Sequence, residues 1–305
     1  MDIFSAPHFR DDEAARKFLE GILWPDGQVC PFCGVIGHAY ETNRAGVYRC
    51  AEKECRKDFT VTMKTVMERS HIALHKWLQG FHMMASSKKG VSAHQLHRTL
   101  NITYRSAWFM EHRIREAMRA GGLAPMGGAG GVVEADETFI GRKEGSIKRR
   151  GHGHKNAILS LVDRESKQVR SFHVDGTSAA DVIPIIKANV AKETAMMTDE
   201  GGHYFTLGDH FASHESVSHK ADEYVRGDVH TNTVEGYYSV FKRGMKGVYQ
   251  HCSEKHLHRY LSEFDFRYSN RAKIGIADVE RSEKAISGAA GKRLMYQGPR
   301  EVAPV

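Results

Sequence analysis

At 305 residues the chain can hold one large domain with one or two smaller ones beside it. Its 44 basic and 37 acidic residues leave a formal charge of +7, which favours a polyanionic partner over a neutral metabolite. No run approaches the roughly 18 apolar residues of a membrane span, and the opening MDIFSAPHFRDDEAARKFLE is too charged for a signal peptide, so a cytoplasmic, nucleoid-associated protein without a membrane partner is expected.

The first region, 1–65, is marked by cysteine. Four of the five cysteines lie within the first 55 residues, and Cys252 stands alone. Cys30, Cys33, Cys50 and Cys55 form C-x2-C-x16-C-x4-C: two close pairs separated by a hairpin-length insert. Each pair turns two sulfurs toward one ion, and four thiolates leave no open position, so a structural zinc is expected. Tyr40, Val47, Tyr48, Phe59 and Val61 suit the short strands of a ribbon. Four reduced core cysteines are the plain alternative, and His38 is a possible substitute ligand.

Region 66–120 reads as helical and basic. Residues 64–119 carry ten Lys/Arg against three Glu, a local excess of +7. Leu74, Trp77, Leu78, Phe81 and Met84 recur at spacings of three and four. Gly90 ends that helix, Ser92 caps SAHQLHRTL, and Thr103 caps TYRSAWFMEHRIREAMRA, the pattern of a helix-turn-helix. Its second helix offers Tyr104, Arg105 and Arg113 to phosphates or base edges, unless the pair is a plain connector with solvated charges. GGLAPMGGAGG then reads as a linker at 121–131.

The segment 132–285 reads as a mixed α/β domain, followed by a tail at 286–305. VVEADETFIG is a strand carrying Asp136, and AILSLVDRESKQVRSFHV is a hairpin turning at Asp163 to Lys167. A helix follows Thr177 or Ser178, TAMMTDEGGHY is a strand ending at Asp199, and a helix begins near Asn232. Strand, hairpin, helix, strand and later helix is the order of the ribonuclease H-like fold. Asp136, Asp199 and Glu235 converge if the sheet sets the two strands side by side, and such a cluster suits phosphodiester chemistry on divalent ions. Oxygen ligands select magnesium or manganese. Glu134, Glu137, Glu200 and Asp209 are rival carboxylates, and alternation puts Glu134 on the same strand face as Asp136. Asn232, Glu235, Ser239, Lys242 and Lys246 share one face of the last helix, opposite Val234, Tyr237, Phe241 and Met245.

The blocks CPFCG, YRCAEKECRKDFTVT, VEADETFIG, MTDEGGHY and HTNTVEGYYSVFKRGMKGVYQHCSEKHLHRYLSEFDFRYSNR resemble the IS1595 family of insertion-sequence transposases, the ISXO2-like group of DDE enzymes. That resemblance implies an N-terminal zinc ribbon, a helical DNA-binding region and a ribonuclease H-like core that cuts and joins element ends with magnesium. It assigns Asp136 and Asp199 as the first two acids. The third acidic position falls to Glu235, preferred as the stronger cation ligand, or to Asn232 one turn earlier. Lys242, Arg243 and the loop 142–155 with Lys148, Arg149 and Arg150 are expected on the DNA backbone, and handling two ends implies a homodimer or larger synaptic assembly. The C-x4-C pair, and Tyr238 where tryptophan is common, depart from the pattern. A non-catalytic DNA-binding regulator and a nuclease or resolvase that cuts without joining are the alternative readings.

Overall fold

The computed structural model describes residues 3–217 and 225–294, and the chain divides into two compact units. The first comprises the described residues of Met1–Ala85, Ala93–Met118 and Asp278–Val305; the second comprises those of Ser86–Ser92 and Arg119–Ala277. Beyond residue 294, the expected tail lies outside the described residues.

In the first unit, helix α1 (Asp12–Leu23) starts where the Asp11 carboxylate accepts the Ala14 amide at 2.7 Å. A three-stranded antiparallel ribbon follows, β1 (Ala39–Glu41), β2 (Tyr48–Cys50) and β3 (Asp58–Phe59). Helices α2 (Leu74–Ser86), α3 (Ala93–Leu100) and α4 (Tyr104–Met118) come next. Trp77, Leu78, Phe81 and Met84 of α2 are buried, as their spacing demands. The Thr103 hydroxyl accepts the Ser106 amide at 3.2 Å at the head of α4.

The second unit is built on a five-stranded sheet of order β6-β5-β4-β7-β8. Its strands are β4 (Val132–Ile140), β5 (Asn156–Asp163), β6 (Val169–Val174), β7 (Ala195–Asp199) and β8 (Ser213–Val217). The β4–β5 and β5–β6 pairs are antiparallel, whereas β4–β7 and β7–β8 are parallel. Every residue of the interior strand β5 is buried, so its sequence is apolar on both faces except for Asn156, Ser160 and Asp163. Asp163 makes the hairpin turn, its Oδ1 accepting the amides of Glu165 at 2.8 Å and Ser166 at 3.1 Å. Helix α5 (Ala179–Asn189), opened by a Ser178–Asp181 capping box, packs on the sheet face of Val133, Ala135 and Leu159. Helices α6 (Asn232–Gly244) and α7 (Leu257–Ser269) cover the face of Ile140, Ile158 and Val162. This topology is the ribonuclease H-like fold.

Two placements differ from a reading by composition. Helix α8 (Asp278–Ser287), which begins inside the 132–285 segment, groups with the first unit. The Gly-rich stretch 121–131 is pinned in its second half. The Met126 amide donates to the Asn189 carbonyl at 2.8 Å, and the Gly128 amide to Thr194 Oγ1 at 2.9 Å. A Cβ on Gly127 (φ +76°) would stand 2.3 Å from that hydroxyl oxygen, so glycine there answers a close approach.

One interaction sets where α6 begins. Glu134 of β4 is wholly buried, and its Oε2 accepts the amides of Thr233 at 2.8 Å and Val234 at 2.9 Å. Its Oε1 accepts the Thr233 hydroxyl at 2.7 Å and Arg164 Nε at 2.6 Å. Arg164 also donates to the carbonyls of Asp228 and His230, each at 2.6 Å. Thr231, the residue before the helix, makes no side-chain cap, and a strand carboxylate does that work at the positive end of the dipole. Glu134→Ala strands the Arg164 charge and two helix amides, so it should destabilise the protein by about 3–5 kcal/mol; urea unfolding followed by circular dichroism checks the midpoint.

Candidate metal-binding and carboxylate sites

The ribbon gathers its four thiols. Cys30 and Cys55 sulfurs are 3.7 Å apart, Cys33 and Cys50 sulfurs 3.6 Å, and all four ligand atoms lie within 4.8 Å of one another. The first pair turns on the Gly34 amide bonded to the Cys30 carbonyl at 2.9 Å; the second turns on the Cys55 amide bonded to the Glu52 carbonyl at 3.0 Å. The four intervening residues of the second pair therefore still deliver both sulfurs to one point. Trp24, Tyr48 and Phe59 pack beneath them. Against the upward push of burial, the amides of Cys33 and Phe32 and the neighbouring thiols bring the Cys30 thiol down to about 7. Burial instead pushes Cys50 up to about 12. His38 stands outside the set, its Nδ1 2.7 Å from Glu52 Oε1. Compact, closed and all-sulfur, the donor set fits a tetrahedral structural zinc.

The second cluster is carboxylate. Parallel pairing sets Glu134 opposite Met197, so the register carried two residues further sets Asp136 level with Asp199. Glu235 lies in the first exposed turn of α6, one residue past the amides held by Glu134, and its Oε1 accepts the Thr231 hydroxyl at 3.2 Å. Burial, then the charges of Asp199, Glu137 and Glu235, push the Asp136 carboxyl up to about 8, against the hydrogen bond from the Glu137 amide. Acids from different chain positions thus press on one another electrostatically. Their oxygens are spaced more widely than the sulfurs, since among the described residues the cysteines are the ligand group that closes within 4.8 Å. Hard oxygens under mutual repulsion fit a divalent cation.

The neighbours of the acids sort the rivals. Glu134 shares the strand face of Asp136 but is consumed by α6 and Arg164. Glu137 points to the other face. Its Oε1 accepts the Tyr204 hydroxyl and lies 3.2 Å from His203 Nε2. Burial, and then the Asp199 charge, lift its carboxyl to about 7 in spite of the Tyr204 hydrogen bond. The block MTDEGGHY held both partners, but nothing in a linear sequence pairs them with Glu137. Tyr238 donates its hydroxyl to the Asp136 carbonyl oxygen and pins α6 to β4 at the acid itself. Lys242, half-buried and 5.8 Å over the Tyr238 ring, is held below its ordinary value by burial, while Asp136 pulls the other way. Asn232 is exposed at the first position of α6, and Arg243 donates to Ser239 within the helix at 2.8 and 2.9 Å.

Among the basic residues expected on DNA, Arg105 is exposed on the first turn of α4 beside Tyr104, whose ring stacks on His94 at 4.4 Å. Lys148, Arg149 and Arg150 are exposed in their loop. Arg113 requires correction. It is 7% exposed, donates to the Glu68 carbonyl at 3.0 Å and lies 4.4 Å over the Phe109 ring, so its guanidinium serves the interior of the first unit. Helical periodicity showed which positions lined up, but not that so much of Ala107–Met118 would be enclosed. Among the described residues no helix is long and apolar enough to cross a membrane.

Comparison with known proteins adds identity to this geometry. The chain is 27% identical over 279 residues to an uncharacterized protein in transposable element ISH50 of Halobacterium salinarum, covering 85% of this chain and 91% of that one. Among solved structures, the HTLV-2 integrase catalytic core domain in complex with magnesium aligns at 14% identity and a TM-score of 0.28, over 46% of this chain and 86% of the other. A simian T-cell lymphotropic virus intasome bound to a PP2A regulatory subunit aligns at 14% and 0.30, over 56% and 67%. A sequence model of the transposase zinc-ribbon domain matches residues 10–58 in the first unit, and one of the ISXO2-like transposase domain matches residues 128–269 in the second. Both models describe parts of IS1595-type transposases, so the chain carries a transposase zinc-ribbon domain followed by an ISXO2-like transposase domain.

Proposed function

We propose that the protein cuts phosphodiester bonds at transposon ends and joins the freed ends to target DNA, with Asp136, Asp199 and Glu235 as the ligands of divalent magnesium or manganese. The observation that carries this reading is the crowding at Asp136. A carboxyl pushed up to about 8, level with Asp199 across a parallel strand pair and repelled by Glu235, lacks a counter-charge of the kind a divalent cation provides. When bound, such cations neutralise the phosphoryl oxygens and polarise the reacting ones.

The chain's own groups then have separable work. The β4–β7 pairing fixes the spacing of Asp136 and Asp199, and the Glu134 cap fixes the turn that carries Glu235. Lys242, two turns beyond Glu235 and within the field of Asp136, is the cation we assign to the scissile phosphate. Arg105 and the Lys148–Arg150 loop bind the backbone, so affinity should fall steeply with salt. Asn232 supports the third position as a lesser ligand or hydrogen-bond donor. Because two ends are processed, the working form is a dimer or larger assembly.

The decisive experiment incubates full-length protein with labelled end duplex and plasmid target, with and without magnesium. Joined product supports transposition, cutting without joining indicates a nuclease, and binding alone indicates a regulator. Asp136→Ala, Asp199→Ala and Glu235→Ala should each lower cleavage about 100-fold or more with DNA binding retained. Asn232→Ala should lower it less than Glu235→Ala, and the reverse order would move the third ligand to Asn232.

The raised acids set a pH dependence. Asp136 at about 8 and Glu137 at about 7 are more readily protonated folded than unfolded, where such groups titrate near their ordinary values. Their contribution is full below the unfolded pKa and is lost as pH rises through 7 to 8. Without magnesium, the melting temperature should therefore fall from pH 6 to pH 8.5. Asp136→Asn should flatten that fall and abolish the rise that magnesium gives at pH 8.5, as measured by differential scanning fluorimetry. In the ribbon, Cys50→Ser should release the zinc otherwise found at one per chain by metal analysis, and hydrogen exchange should show loss of protection confined to the ribbon strands.

A further inference from the structure

The turn that follows Asp199 presents an aromatic ring to solvent. Phe205 is 86% exposed, the most exposed large apolar side chain among the described residues. It sits in the 3-10 turn Gly202–Leu207, six residues past Asp199. Loose attachment does not explain the exposure, because both sides of the turn are anchored. Tyr204 is 1% exposed with its hydroxyl on Glu137, and Leu207 is fully buried in the sheet core. The Gly201 amide donates to Asp199 Oδ1 at 3.0 Å, and His203 Nε2 stands 3.2 Å from Glu137 Oε1. With Tyr204 and Leu207 directed inward, Phe205 is directed outward on a turn fastened to the acids.

In a helix of three residues per turn, positions 202, 205 and 208 form one row. Both neighbours of Phe205 in that row are glycine. A Cβ on Gly202 would meet nothing within 4 Å, and one on Gly208 only His214 Cβ at 3.8 Å. The ring therefore has clearance along its row, and among the described residues of this stretch the exposed neighbours in sequence, Thr206 and Asp209, are polar. A protein-binding surface gathers several apolar neighbours around its anchor. A single flat ring in polar surroundings matches a nucleobase, apolar on its faces and polar at its edges.

We propose that Phe205 is a stacking platform for one unpaired base of the DNA end, holding that base out of the duplex so that the adjoining phosphodiester reaches Asp136 and Asp199. This rests on the transposase reading for the identity of the DNA, though stacking is measured without chemistry. Phe205 is here a positioning residue, and its role predicts retention by another large ring and loss by a methyl group.

The test uses full-length protein and end duplexes with 2-aminopurine placed at successive positions across the terminal junction. Without magnesium, wild type and Phe205→Trp should change the fluorescence at one position, and Phe205→Ala should not. With magnesium, Phe205→Ala should cut intact ends about 5- to 100-fold more slowly, the range expected for one lost base–aromatic stack. Mismatching the base pair at the responsive position should restore much of that rate. An equal fluorescence response in Phe205→Ala and wild type overturns the proposal. So does an unchanged response accompanied by loss of the dimer in sedimentation, which would make Phe205 a contact between copies. If wild type cuts nothing yet the fluorescence difference persists, the transposase reading fails and the platform stands. If wild type cuts and joins ends but the variants respond alike, the platform fails and the transposase reading stands.

Discussion

The second unit depends on a buried carboxylate that performs no chemistry. Glu134 joins three segments distant in sequence: its own strand, the hairpin turn through Arg164, and the start of α6 through the Thr233 and Val234 amides. A buried charge without partners is prohibitive, whereas one with four donors is among the strongest fixtures a fold has. Because it grips the amides immediately before Glu235, it sets the axial position of that residue as well as the packing of the helix. Tyr238, donating to the Asp136 carbonyl a turn later, fixes the rotation of the same helix.

Three acids within four residues of β4 thus acquire different roles from their partners. Glu134 receives four hydrogen bonds, from two helix amides, the Thr233 hydroxyl and Arg164, and is occupied with structure. Asp136 has one amide donor and several negative neighbours, and its charge lacks compensation. Glu137, across the strand, shares hydrogen bonds with a tyrosine and a histidine. Charge type is common to all three, and the elements packed over each decide what it does.

Features carried by local chemistry were legible in the sequence. The cysteine spacing, the strand pattern of VVEADETFIG, the Asp163 turn and a cap at Thr177 or Ser178 each state a short-range rule, and each has its counterpart in the structure, the cap falling to Ser178. What escaped was long-range. Alternation placed Glu134 and Asp136 on one face and offered no ground to separate them; the ground is α6, about a hundred residues on. Strand β8 passed unnoticed because SHESV is short and polar, and its partner β7 supplies the pairing that its composition does not advertise. Arg113 looked like a surface cation because periodicity reports angle around a helix, not what else lies against it. The pairing of Glu137 with Tyr204 likewise joins residues 67 apart.

The Glu134 cap also bears on the order in which the protein is made. Its carboxylate is synthesised about a hundred residues ahead of the amides it holds, and Asp136 precedes Asp199 by a full crossover. The ribbon, by contrast, draws its four sulfurs from the stretch between Cys30 and Cys55, well ahead of the acids. During translation the metal knuckle can therefore close long before the acids meet, since contacts between distant segments wait for the chain that supplies them. A polypeptide cut short before α6 has no means of assembling the carboxylate cluster. Such a fragment can keep an intact ribbon while Asp136 and Asp199 still lack the helix that carries Glu235, so the topology closes the sulfur site before it gathers the acids.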